Sequence, residues 1–103
     1  MTKEYSVIVS RLAARMLTEH AAFLAKVSPD KADRLVDSFE KAAESLKKMP
    51  HRCPRISREL IPDGNYRSLV FEKRYLIIYR IFSESVYIDY IVDCRQDFGW
   101  LLT

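Results

Sequence analysis

The sequence predicts a small α+β domain of order β-α-α-β-β-β, an antiparallel sheet packed on an N-terminal helical hairpin. Three observations predict it. "EYSVIVS" (Glu4–Ser10) is a short β-rich run. "SRLAARMLTEHAAFLAKVSPDKADRLVDSFEKAAESLKKMP" spaces its apolar residues as two helices do, with a break at "SPDK". "NYRSLVFEKRYLIIYRIFSESVYIDYIVDC" then alternates as strands do. At 103 residues the chain makes one domain, 1–103, without repeats.

Each element has its own warrant. Ser10 is placed to cap the first helix, whose apolar positions are Leu12, Met16, Phe23, Leu24 and Val27. Ser28 caps the second, Pro29 suits its first position, and Asp30 favours the positive end of its dipole. Leu35, Phe39, Ala42, Leu46 and Met49 form one stripe, and Pro50 ends the helix near Met49. A proline-punctuated link, "HRCPRISRELIPDG", carries Arg52, Arg55 and Arg58. Strands follow at about Tyr66–Phe71, Arg74–Ser83 and Val86–Cys94.

Two-residue hairpin turns at Glu72-Lys73 and Glu84-Ser85 would fix which side chains share a face. Tyr66, Ser68, Val70, Tyr75, Ile77, Tyr79, Ile81, Val86, Ile88, Tyr90 and Val92 then face the helices. Arg67, Leu69, Phe71, Arg74, Leu76, Ile78, Arg80, Tyr87, Asp89, Ile91 and Asp93 take the other face, with Arg80 directly across from Asp89. A solvated sheet face is normally rich in Thr, Lys, Glu and Ser. An apolar patch with arginines among it is the mark of a binding surface, unless the tail "FGWLL" or a second copy covers it.

Composition narrows the function. The chain has a net charge of +3, distributed unevenly: residues 1–50 hold three Arg and six Lys, and residues 51–103 hold seven Arg and one Lys. Arginine offers a planar fork for carboxylate or phosphate, so the C-terminal half is the one suited to an anionic partner. No apolar run is long enough for a membrane span, and Cys53 and Cys94 form neither a C-x-x-C nor a disulfide framework. A cytoplasmic chain that makes no membrane contact is expected. No histidine, cysteine or carboxylate cluster has metal-ligand spacing, and no glycine-rich phosphate loop exists, so no metal or cofactor is expected. His20, between apolar positions of the first helix, reads as a half-buried, hydrogen-bonded histidine, and His51 as a loop residue of the basic link.

"SPDKADRL", "FEKAAESLKKMP", "RYLIIYRI" and "VDCRQD", in this order, resemble the RelE/ParE toxins of bacterial type II toxin–antitoxin systems, also called plasmid stabilisation proteins. The resemblance implies a growth-inhibiting toxin and a cognate antitoxin whose C-terminal segment wraps it, with operator DNA reached only through that antitoxin. Within the family, the RelE-like branch cleaves mRNA on the ribosome. Such cleavage needs a group to activate the ribose 2′-OH, a proton donor and cations for the phosphorane. Arg67 and Arg95 match two basic positions of that branch, and His51 is the candidate acid or base. Leu69 and Leu76 stand at two further basic positions, and Trp100 or Leu101 at the C-terminal tyrosine. Arginine cannot act as a general acid. The set is incomplete, and the resemblance is closer to the ParE-like branch, which binds DNA gyrase without catalysis. A ribosome-dependent mRNA interferase is the alternative, and a non-toxic interaction module the second. Partner binding is expected at Arg67, Leu69, Phe71, Leu76, Ile78, Arg80, Asp89 and Arg95.

Overall fold

The computed structural model describes residues 4–56 and 65–95. The elements are β1 (Ser6–Val9), α1 (Arg11–Ala25), α2 (Pro29–Ser45), a 3₁₀ turn at Pro50–Arg52, β2 (Tyr66–Phe71), β3 (Tyr75–Phe82) and β4 (Ser85–Asp93). The order is the expected one. The sheet, β1-β4-β3-β2, is mixed rather than antiparallel, because β1 runs parallel to β4. Tight hairpins reverse direction twice between β2 and β4, so β4 runs in the sense of β2 and comes alongside β1.

Both helices start where their caps say. Ser10 Oγ accepts from the Ala13 amide at 2.9 Å, and Ser28 Oγ accepts from the Lys31 amide at 3.4 Å. The buried stripe of α1 differs from the expected one. Ala13 is fully buried, with Met16, Leu17, Ala21 and Leu24 packed on the core, whereas Phe23 and Val27 remain 65% and 75% exposed. Two alanines let the helix axis approach the sheet closely, and the bulkier Phe23 is turned outward. α2 buries Ala32, Leu35 and Phe39 and ends at Ser45, earlier than expected. The proline at position 50 disfavours helical geometry in Met49, which takes φ −139°, ψ 63°. The amides of Leu46, Lys47 and Lys48 therefore bond to the carbonyls three residues back, and Leu46 still reaches full burial.

Two departures in the hairpins decide the faces. The β2–β3 loop has three residues, not two: Phe71 pairs with Tyr75, Leu69 with Ile77 and Arg67 with Tyr79. Glu72 (φ 45°) and Lys73 (φ 69°) both take left-handed backbone to make it. The slip turns all of β2 over, so Arg67, Leu69 and Phe71 face the helices, and Tyr66, Ser68 and Val70 face away. The β3–β4 turn is two residues long but sits at Ser83-Glu84, with Phe82 opposite Ser85 and Ser83 at φ 56°. Parity is kept there, and Val86 and Ile88 face the helices as expected. A bulge opposite Ile78/Tyr79 then makes Asp89 the extra residue of β4. Beyond it the faces exchange. Ile91 and Asp93 join the helix side, and Tyr90 and Val92 leave it.

The main core lies between the helical hairpin and the sheet, with Leu35, Phe39, Leu46, Phe71, Ile77, Tyr79, Val86, Ile88 and Ile91 at its centre. Tyr79 is fully buried, and its hydroxyl donates to Pro50 O at 2.6 Å, which fixes the 3₁₀ turn against β3. A second cluster on the other face centres on Ile78 and Val92. α1 also closes part of the β4 edge that β1 does not reach. The Ser10 amide donates to Ile88 O, Ser10 Oγ to Asp89 O, and His20 Nε2 lies 3.0 Å from Ile91 O.

Candidate partner-binding surface

The sheet face away from the helices carries a polar centre on an apolar floor. Asp89, released from the ladder by the bulge, is its hub. Asp89 Oδ2 accepts from Arg80 Nε at 2.8 Å and from the Tyr66 hydroxyl at 2.9 Å, so one carboxylate ties β4 to β3 and β2. Arg80 also stacks over the Tyr87 ring, 4.8 Å from its centroid, and Tyr66 lies against Tyr90. Burial, followed by the hydrogen bond to Asp89, raises the Tyr66 hydroxyl pKa well above the tyrosine range, and the same carboxylate holds Arg80 still more firmly protonated. The Arg80–Asp89 pair expected from the sequence is present, although its Cα partner is Tyr87 and the bulge lets the side chains meet.

Of the residues expected to bind a partner, Leu76, Ile78, Arg80 and Asp89 share this face. Ile78 is fully buried there, so it is floor rather than contact surface, while Val70 (55%) and Phe82 (69%) are the exposed apolar members that the sequence reading did not single out. Arg67, Leu69 and Phe71 lie on the helix side. Phe71 is a core residue packed edge-on against Phe39, and Leu69 packs on the same cluster. Arg67 Nη1 donates to His51 O at 3.1 Å and to Cys53 O at 2.6 Å, tying the link to β2. The tail "FGWLL", Arg58, Trp100 and Leu101 lie outside the described residues.

Arg95 stands at the other end of the helix side. It grips Asp93 with both Nε (3.1 Å to Oδ1) and Nη2 (2.7 Å to Oδ2), and its amide adds a third bond to Oδ1 at 2.9 Å. Those bonds hold the buried Asp93 carboxyl below its ordinary pKa. Arg95 and Asp93 line a cavity with Glu19, His20, Phe23 and Tyr75; His51 and Arg67 line another, with Arg55, Asn65 and Ile81. Arg67 pairs with Tyr79 and Asp93 with Tyr75, a separation of four residues along β3, or about 13 Å of strand. The structure brings His51 and Arg67 together and leaves Arg95 apart. Among the described residues no group of His, Cys, Asp and Glu is arranged to hold a metal ion, and no helix is long and apolar enough to cross a membrane.

The solved chain in the structure described as "Chromosomal ParDE TA system from P. aeruginosa" is similar to this one, with a TM-score of 0.71 over 87% of this chain and 96% of that chain. At 20% identity that likeness speaks for the fold. No curated protein matches the sequence. The family model described as "ParE toxin of type II toxin-antitoxin system, parDE" matches residues 7–98, from β1 through β4 and past Arg95. The chain belongs to the ParE toxin family of type II toxin–antitoxin systems.

Proposed function

We propose that this chain is the toxin of its module, neutralised in the cytoplasm by a cognate antitoxin, and that when free it arrests growth by binding DNA gyrase rather than by cutting RNA. The observation that carries the non-catalytic reading is the separation of the candidate cutting residues. Cleavage of a phosphodiester needs its acid, base and cations gathered around one phosphate. Here Arg67 is held by two backbone carbonyls, and Arg95 is bound to Asp93 in a different cavity. The antitoxin is assigned to the outer sheet face, where Val70 and Phe82 are exposed beside Arg80, Leu76 and Asp89. The interferase reading keeps one observation in its favour, the shared cavity of His51, Arg55 and Arg67.

Purified toxin separates the two. Gyrase supercoiling should stop while mRNA on translating ribosomes stays intact, and a molar equivalent of antitoxin should restore supercoiling. Full supercoiling at saturating toxin, together with codon-phased cuts lost in Arg67→Ala, would instead establish the interferase. Harmless expression in a host lacking any antitoxin would leave only an interaction module.

A further inference from the structure

Among the described residues, the cations divide into those the fold employs and those that make no ion pair or side-chain hydrogen bond. Arg52 donates to Ser45 O, Met49 O and Ser45 Oγ; Arg67 to two carbonyls; Arg80 and Arg95 to carboxylates; and Lys47 pairs with Glu44. Four others converge without such a role. Lys31 and Arg34 on the first two turns of α2, with Lys73 and Arg74 on the β2–β3 loop, line one cavity of about 190 Å³ walled by Leu24 and Tyr75. Among the described residues Glu72 is the one carboxylate in that lining, so four positive charges face one negative there. All five side chains are exposed, and none takes part in an ion pair among the described residues.

Two further features make this more than a solvated patch. The loop is fixed: Glu72 and Lys73 hold left-handed backbone, the Arg74 amide bonds to Glu72 O at 2.8 Å, and Arg74 O accepts from the Cys94 amide at 2.6 Å. Charge is also uneven beyond this cavity, since Asp37, Glu40 and Glu44 gather with Lys41 around a separate depression further along α2. Asp30 and Asp33 also lie on the first turns of α2 but not in the cavity lining, so an anion entering the cavity meets four cations against Glu72, at the positive end of the helix dipole.

We infer that this cavity is a contact site for the phosphodiester backbone of a nucleic acid. The cations come from two elements fixed relative to one another, which suits a chain of regularly spaced, permanently charged phosphates. An acidic protein segment is the competing anion, and the loop offers it little. The Arg74 amide and carbonyl are already bonded within the fold, so a peptide would find only exposed, salt-screened charge pairs, which individually contribute little. A nucleic acid additionally releases condensed counterions when its phosphates are neutralised. The site reads no bases, so operator recognition still belongs to the antitoxin, and the contact stands or falls independently of the gyrase assignment.

The test is the salt dependence of binding. A short fluorescein-labelled DNA duplex of arbitrary sequence is titrated with the whole chain at several NaCl concentrations, beside a single-stranded RNA and a polyglutamate peptide. Each phosphate contact contributes about 0.9 to the slope of log K against log salt. Lys73→Gln/Arg74→Gln and Lys31→Gln/Arg34→Gln should each lower the slope by about two units, while Lys41→Gln/Lys48→Gln leaves it unchanged. Amide shifts at Lys73 and Arg74 on adding duplex to the wild-type chain locate the contact without any variant. Tighter binding of the RNA by the same four residues supports the site and assigns the phosphates to RNA. Unchanged slopes in both double variants overturn it, as does binding of polyglutamate through these residues with no affinity for either nucleic acid.

Discussion

The Tyr66 hydroxyl donates to Asp89 Oδ2 at 2.9 Å, from the edge strand β2 to a strand that is not its neighbour in the sheet. Arg80, on the strand between them, donates to the same oxygen at 2.8 Å. One bulged carboxylate thus holds three strands in register on the face proposed to bind the antitoxin.

Asp89→Asn removes the charge that both donors share and should cost about 1–3 kcal/mol in urea unfolding. Tyr66→Phe removes one donor and should cost about 1 kcal/mol. Because the two changes act on one bond, the double variant should lose less than the sum. Losses that add to within about 0.5 kcal/mol would mean the hydroxyl and the carboxylate are not coupled.

The acid limb of the stability curve should belong in part to Asp93. Its bonds to Arg95, both side-chain and backbone, depress its pKa from the ordinary 3.8, with His20 adding a weaker attraction, against a burial effect that works the other way. A carboxyl depressed in the folded state is protonated first in the unfolded chain. Its contribution is therefore complete above pH 3.8 and fades as pH falls through the folded value. Between pH 7 and pH 2, the urea midpoint of wild type should fall more steeply than that of Asp93→Asn, with the divergence confined to the region below about pH 4. Parallel limbs for the two proteins would remove Asp93 from the account.

His20 makes a sharper claim. Only the tautomer with hydrogen on Nε2 can donate to Ile91 O at 3.0 Å, and the ring also meets Tyr75 edge-on at 5.2 Å. Nitrogen NMR at neutral pH should find that tautomer. His20→Phe keeps an aromatic ring beside Tyr75 but leaves the Ile91 carbonyl at the β4 edge without its donor, and should cost about 1–2 kcal/mol. An Nδ1–H tautomer in solution would contradict the bond directly.

How far such details can be read from the residues depends on what encodes them. Ser10 and Ser28 announce both helices because capping is local, and the Arg80–Asp89 pair is legible because a charge on a strand seeks its opposite. The faces of β2 are not legible, since Glu72 and Lys73 are neither Gly nor Asn and nothing signals a three-residue loop with positive φ at both. The exchange of Ile91 and Asp93 for Tyr90 and Val92 depends on a bulge stabilised from outside the strand, by Ser10 on the Asp89 carbonyl and by Tyr66 and Arg80 on its side chain. The cation cluster joins α2 to the β2–β3 loop, so only the packed fold assembles it. Phe23 and Val27 mislead in the other direction, because helical spacing alone does not reveal that Ala13 and Ala21 set the close face of α1.

That same loop offers the last test, because its strain and its charge can be separated. A non-glycine residue at positive φ is disfavoured by contact between Cβ and the backbone, by about 1–2 kcal/mol in the left-handed helical region. Glycine removes that contact and returns part of the gain as extra freedom in the unfolded chain. Glu72→Gly, at φ 45°, should therefore raise stability by about 0.5–1 kcal/mol, seen as a higher thermal midpoint. Lys73→Gly, at φ 69°, should gain a similar amount while also removing one of the four cavity cations. Only the second change should weaken the salt dependence of nucleic-acid binding. A lower midpoint for Glu72→Gly would mean that the glutamate side chain holds the loop, and that its backbone geometry is stabilised by contacts a glycine cannot make.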